Sequence, residues 1–402
     1  MTALPSAGKR GAEGKSLITA DERRRAAVAR EMIALAVTAS EPPFDTHGTR
    51  PAQRRDGSRT IAGIVTGLAG LLLLAWLVRN ESPADLGRRL AQLGPVLPLA
   101  CVPYTLASLA DALGWCVVLR VFGVHVPFAR LWLVRLAGEA VNSVAPTGVG
   151  GEPLKAVLLR ADGASGSAAA AAVVVSRTIV VMTQAILVVL GVGALLVRLG
   201  WTRAAPIAIA GLVVVTGAFG LLLVRVQQRG AAGVAARWAA WLLPSAWLAD
   251  RMHRMARALD GRLATAYGHA RLALLVAAAW HMLGWLASAA EVWVVLRLLE
   301  APVSWQDALI IDGLAQPIRA TGILVPGALG PQEGGGVAVC RWLGILPAVG
   351  LALWLVRRVR EIIFNVVGLV YLAARTSRSV AGSGPSAGAE TTPMHQSVTA
   401  GR

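Results

Sequence analysis

The run SAAAAAVVVSRTIVVMTQAILVVLGVGALLV, residues 167–197, carries one charged side chain, Arg177, in a stretch long enough to cross a bilayer as an α-helix. Hydrocarbon offers no partner to a backbone N–H or C=O, so only helices and closed barrels span it. A barrel strand would alternate apolar and polar residues over about ten positions. This run does not alternate; it reads as helix.

Working outward, similar runs appear at 61–78, 95–119, 204–224, 272–296 and 345–374. Hydrophobic residues make up 55% of the 402 and charged residues 15%, with mean hydropathy +0.61. A soluble domain carries about 25% charged residues, so this chain has too little polar surface for water. The expectation is an all-α polytopic membrane protein with six full spans.

The net charge is +17, and only three of the basic residues are lysine. Basic loops on the cytoplasmic side of a membrane account for such a balance, and a nucleic-acid partner is not expected. The strongest basic blocks are the flank Arg50, Arg54, Arg55 and Arg59 and the polar linker 226–271, with its seven arginines and two aspartates. Six spans place both blocks, and both termini, in the cytoplasm, with the protein in the inner (plasma) membrane. The linker is expected to form amphipathic helix at the membrane surface. Residues 1–59 and 376–402 are poor in large apolar residues and read as disordered tails around a membrane domain at 60–375.

Two segments, 128–160 and 304–342, are helix-like but broken by Pro and Gly. Each reads as a re-entrant hairpin, since irregular backbone at membrane depth must be buried in protein or line a wet cavity. The chain also repeats at an offset of about 180 residues. CVVLRVFGVHVPFARL (Cys116–Leu131) matches WVVLRLLEAPVSWQDAL (Trp293–Leu309), and Arg177-Thr178-Ile179 matches Arg360-Glu361-Ile362. Repeat 1 covers about 95–197 and repeat 2 about 272–374. With the linker between them, the two hairpins open from opposite faces, and inverted repeats of this kind place a substrate site between them near the midplane.

The first hairpin, GEAVNSVAPTGVGGEPLK (residues 138–155), sets Glu139 and Asn142 on one helix face. Pro146, Thr147, Gly148, Gly150 and Gly151 then break the helix, and Glu152 opens the outgoing half. Lys155, the membrane domain's one lysine, has three available partners: Glu139, Glu152 or a phosphate. The second hairpin has Asp312, Gln316 and Arg319, then Pro326, Gly327, Gly330, Gln332, Glu333 and Gly334. Ionisable groups at this depth are costly unless paired or hydrated. Arg177, Arg357, Arg358, Arg360 and Glu361 are equally misplaced for lipid-facing helix. They are expected either to bind an anionic headgroup or to pair within the protein. Glu291, a single acid near a helix end, reads as interfacial, and His281 as a packing residue. Cys101, Cys116 and Cys340 have no metal-ligand spacing. No GxxxxGK[ST] or HExxH motif occurs, so neither ATP hydrolysis, enzyme chemistry nor a cofactor is expected.

GEAVNSVAPTGVGGEPLKAVLLR, VPGALGPQEGG and RRVREIIFNVVGLV together resemble the flippase-like family defined by the transmembrane domain of lysylphosphatidylglycerol synthase, over about residues 60–375. The resemblance implies a lipid flippase fold with two re-entrant hairpins and a central cavity. It implies lining roles for Glu139, Asn142, Pro146, Gly150, Gly151, Glu152 and Lys155, and for Pro326, Gly327, Gly330, Gln332, Glu333, Arg360 and Glu361. Some stand-alone members accompany hopanoid synthesis, so lipid-biosynthesis enzymes are implied partners. A departure is Ser176 before Arg177, where many relatives place an acid. The function expected is movement of a phospholipid or hopanoid-type lipid. The alternatives are a lipid-binding accessory that does not transport, or a small-solute or ion transporter.

Overall fold

A computed structural model describes residues 72–73, 75–79, 86–88, 91, 94, 97–144, 150–200, 205–241, 246–321 and 325–381. The span read at 61–78 falls mostly outside them, as do the tail at 1–59 and most of that at 376–402. Of the described residues, those up to 372 belong to one compact unit and 373–381 to a second.

Among the described residues the structure is helical, without strands. The elements are α1 (Leu97–Val121), α2 (Phe128–Val144), α3 (Gly151–Ala161), α4 (Gly166–Arg198), α5 (Ala205–Gln228), α6 (Ala231–Trp241), α7 (Ala246–His269), α8 (Arg271–Leu298), α9 (Trp305–Thr321), α10 (Pro331–Trp342) and α11 (Pro347–Ala381). The last helix thus runs past the boundary read at 375. Among the described residues four helices contain a stretch long and apolar enough to cross a membrane, namely Pro98–Val121, Gly166–Arg198, Pro206–Gln228 and Arg271–Leu298. The chain is a polytopic membrane protein. Helix α11 has the length, but Arg357, Arg358, Arg360 and Glu361 interrupt its apolar run.

Helices α1 to α4 and α8 to α11 repeat the same order. The paired lengths are 25 and 28, 17 and 17, 11 and 12, and 33 and 35 residues. The equivalent helices α1 and α8 pack against each other. A Cβ on Gly284 would meet the Ala107 carbonyl, while one on Gly114 would meet that of Ala277, so residue numbers rise along one helix as they fall along the other. Two equivalent helices packed antiparallel make the repeats inverted.

Backbone-to-backbone crossings then close the bundle. Gly191 of α4 meets Gly313 of α9, where an added Cβ would come within 2.9 Å of the Leu309 carbonyl. In the other half Gly368 of α11 lies against Leu136 and Ala137 of α2. Within the hairpins, α2 packs on α3 and α9 on α10. Ser165 caps α4, its side chain accepting from the Ala168 N–H at 3.3 Å. Gly327 and Gly330 take φ of 62° and 83°, which Gly supplies most readily, to turn the chain into α10.

The linker carries the helices α6 and α7. Its helices α6 and α7 pack on one another, and α7 packs against α4 and α5. Asp260 of α7 accepts from the Ala232 and Gly233 N–H groups at 3.0 and 2.8 Å, neutralising the start of α6. Tyr267 donates to Gln227 at 2.6 Å, and Gln227 donates to Thr178 of α4 at 2.8 Å. Burial pushes the Tyr267 phenol up, so the hydroxyl keeps its proton and stays a donor. Apolar Leu263 and Ala266 are buried, and enough interior contact follows to hold these helices on the bundle.

Candidate functional site

The inverted repeats enclose a cavity of about 490 Å³, lined from α1, α2, α3, α4, α8, α9, α10 and α11. Its walls are largely polar, inside a bundle whose outer helices show Ile207, Val214, Leu222 and other large apolar side chains.

On the first-repeat wall, the 3.6-residue period of α2 puts Arg135, Glu139 and Asn142 on one face. Arg135 pairs with Asp111 of α1 at 2.6 Å and donates to Ser108 at 3.1 Å. Asp111 also receives His281 Nδ1 of α8 at 2.8 Å. Asn142 accepts from the Gly151 N–H at 2.6 Å, satisfying an orphan donor at the start of α3. Lys155 pairs with both Glu139, at 2.9 Å, and Glu152, at 3.0 Å. One ammonium therefore serves two carboxylates, and the Glu139 side chain stays 39% exposed.

On the second-repeat wall, Arg357 reaches Glu291 at 3.2 Å and Asp312 at 2.9 Å. Arg360 reaches Glu291 at 2.8 Å and stacks 3.5 Å above the Tyr104 ring. Arg358 binds Glu333, donates to the Gly327 carbonyl at 3.0 Å and pairs with Glu361 at 3.0 Å. Glu333 also accepts from the Gly330 N–H at 2.7 Å and so caps α10. Side-chain bonds cross between the halves' long helices and the hairpins, among them Gln184 to Gln316 at 3.0 Å and Asn365 to Ser143 at 2.9 Å.

Of the residues singled out in the sequence, Glu139, Asn142, Glu152, Lys155, Arg177, Gly327, Gln332, Arg360 and Glu361 line the cavity. Gly150, Gly151, Gly330, Glu333, Gly334 and Arg358 are not part of the lining; Arg358 is turned toward Glu333, and Gly151 lets α3 approach the Gly138 carbonyl of α2. Pro146, Thr147 and Gly148 lie outside the described residues, as does the Pro326 side chain. Glu291 is not interfacial. It is completely buried, because two arginines from α11 neutralise it. His281 is a packing residue as read, yet it also borders the cavity.

Sequence reasoning missed Tyr104, Arg135, Gln184 and Asn365. Arg135 was findable, lying one turn before Glu139 on the same face. Gln184 was findable too, as a lone amide in an apolar run. Among the described residues no cluster of His, Cys, Asp and Glu could hold a metal.

Residues 60–368 match the family described as the lysylphosphatidylglycerol synthase TM region. No curated protein matches the chain.

Proposed function

The chain belongs to the family of the lysylphosphatidylglycerol synthase TM region, and from that premise we propose that it moves an amphipathic lipid between leaflets. The family makes it a membrane protein related to lipid metabolism or transport. The observation that carries the finer reading is the polar, ion-paired cavity between two inverted repeats of a membrane bundle.

Placing so many charges inside hydrocarbon is costly, and a purely structural bundle would be as stable with apolar residues there. A volume of about 490 Å³ suits a headgroup, since small-ligand pockets run from roughly 300 to 1,000 Å³. The acyl tails would remain in the surrounding lipid. In this reading α2–α3 and α9–α10 are re-entrant hairpins among six spans, both termini are cytoplasmic, and no covalent chemistry or cofactor is involved. Without an ATP-binding loop, transport runs downhill or is coupled to an ion.

The test is translocation in vesicles reconstituted with the full chain and a lipid carrying a reducible fluorescent headgroup. Quenching from outside should reach inner-leaflet lipid faster than in protein-free vesicles. Unchanged protection, with lipid still bound to the protein, would replace transport with the accessory role.

A further inference from the structure

Superimposing the repeats by sequence exposes a missing charge. Arg120 in VVLR aligns with Arg297 in VVLR, which sets Gly114 against Glu291 and Tyr104 against His281. Arg177, in RTI, aligns with Arg360, in REI. In the second half Arg360 is held by Glu291 at 2.8 Å and covered by Tyr104. In the first half, the position matching Glu291 is a glycine.

Room for a carboxylate at that position is gone as well. A Cβ on Gly114 would fall 2.9 Å from His281 Nε2, so the imidazole, anchored to Asp111 at 2.8 Å, fills that space. Arg177 is exposed and faces the cavity. Every other arginine or lysine lining the cavity has a carboxylate within 4 Å: Arg135 has Asp111, Lys155 has Glu139, Arg319 has Glu361, and Arg357 and Arg360 share Glu291. Among the described residues Arg177 has none. It is close enough to Glu139 for their charges to interact, but Glu139 is already bound to Lys155.

We propose that Arg177 binds an oxyanion of the substrate, a phosphate or its like, which supplies the negative charge that Glu291 supplies to Arg360. The proposal rests on the transport reading for the word substrate, and names its chemical class. An arginine presents a planar fork of donors to two oxygens of a phosphate, which Lys cannot reproduce. The same logic removes Arg360 and Lys155 as anion receptors, because their charges are already met inside the protein.

The experiment measures binding to the purified full chain in neutral detergent. The probes are a short-chain phosphatidic acid, the diacylglycerol of the same chains, and inorganic phosphate. Wild type should hold phosphatidic acid about tenfold or more tighter than diacylglycerol, the scale of one charge-assisted contact. Arg177→Gln should close that gap without changing diacylglycerol binding, and Arg177→Lys should restore part of it. A gap absent from wild type, or intact in Arg177→Gln, overturns the proposal.

Competition by inorganic phosphate would assign the site to free oxyanions, and failure to compete would assign it to lipid-borne ones. Should Arg177→Gln not fold, dicarbonyl modification of Arg177 in wild type, read by peptide mass spectrometry, decides instead. Protection by phosphatidic acid alone supports the site, and equal modification with both lipids overturns it. Translocation separates the two ideas. An Arg177-dependent gap without lipid movement removes the transport reading and keeps the anion site. Movement with no gap does the reverse.

Discussion

The two halves of the cavity wall are built from equivalent helices, yet they treat charge in opposite ways. In the second half Glu291, Asp312 and Glu333 are almost wholly buried, and three arginines within one turn of α11 hold them. In the first half Glu139 and Glu152 stay 39% and 22% exposed and divide a single Lys155 between them. A buried carboxylate with full partners is fixed, because any movement strands a charge. A half-exposed one can exchange its partner for water or a ligand. The second half is thus built as a rigid wall and the first as an adaptable one, on a common backbone plan.

Removing a central carboxylate from each side tests this contrast most severely. Glu291→Ala takes from buried Arg360 its paired acid and leaves buried Arg357 with Asp312, and should cost about 3–5 kcal/mol. Glu139→Ala, whose site is partly hydrated, should cost less than about 1 kcal/mol. Thermal unfolding in detergent gives both numbers, and equal losses would erase the distinction between the halves.

The carboxylates at the hairpin breaks sharpen it. Glu333→Gln loses the Arg358 pair and weakens the cap on α10, for about 2–3 kcal/mol. Glu152→Gln should scarcely alter the unfolding temperature, since Lys155 keeps Glu139. Its effect should appear in lipid translocation, which falls if the first half is the working wall. A large stability loss in Glu152→Gln with unchanged translocation would reverse the assignment.

Packing gives a smaller contrast. An alanine methyl at Gly368 would overlap the Leu136 backbone, while one at Gly191 would approach the Leu309 carbonyl at 2.9 Å. Both should destabilise by about 1–3 kcal/mol, with Gly368→Ala the worse. Unfolding measurements that ranked them the other way would mean that α2 yields more easily than α9.

The least effect is expected from two of the amide bonds that tie the long helices to the hairpins. Gln184→Ala and Asn365→Ala should each cost about 1 kcal/mol or less, and by similar amounts, since each breaks one neutral hydrogen bond. A much larger loss for either would reveal that its crossing carries more than that bond.

The sequence alone determined the medium, the helices and the repeat. Runs such as 167–197 admit only helix in a bilayer, and the VVLR and RTI/REI matches order the two halves. It also marked both polar breaks, because charge beside Pro and Gly inside apolar sequence has no cheap structural reading. It did not reveal that Glu291 is a buried hub, that Lys155 serves two acids, or that Arg177 has no paired acid among the described residues. The 3.6-residue period tells which residues share a face but not which helix that face will meet, and these partners come from distant segments. Arg360 finds Glu291 across 69 residues, and Asn365 finds Ser143 across 222. A charge in an apolar run declares that its desolvation must be compensated. Only the antiparallel crossing of equivalent helices decides which group compensates it, and where a place is left for a ligand to do so.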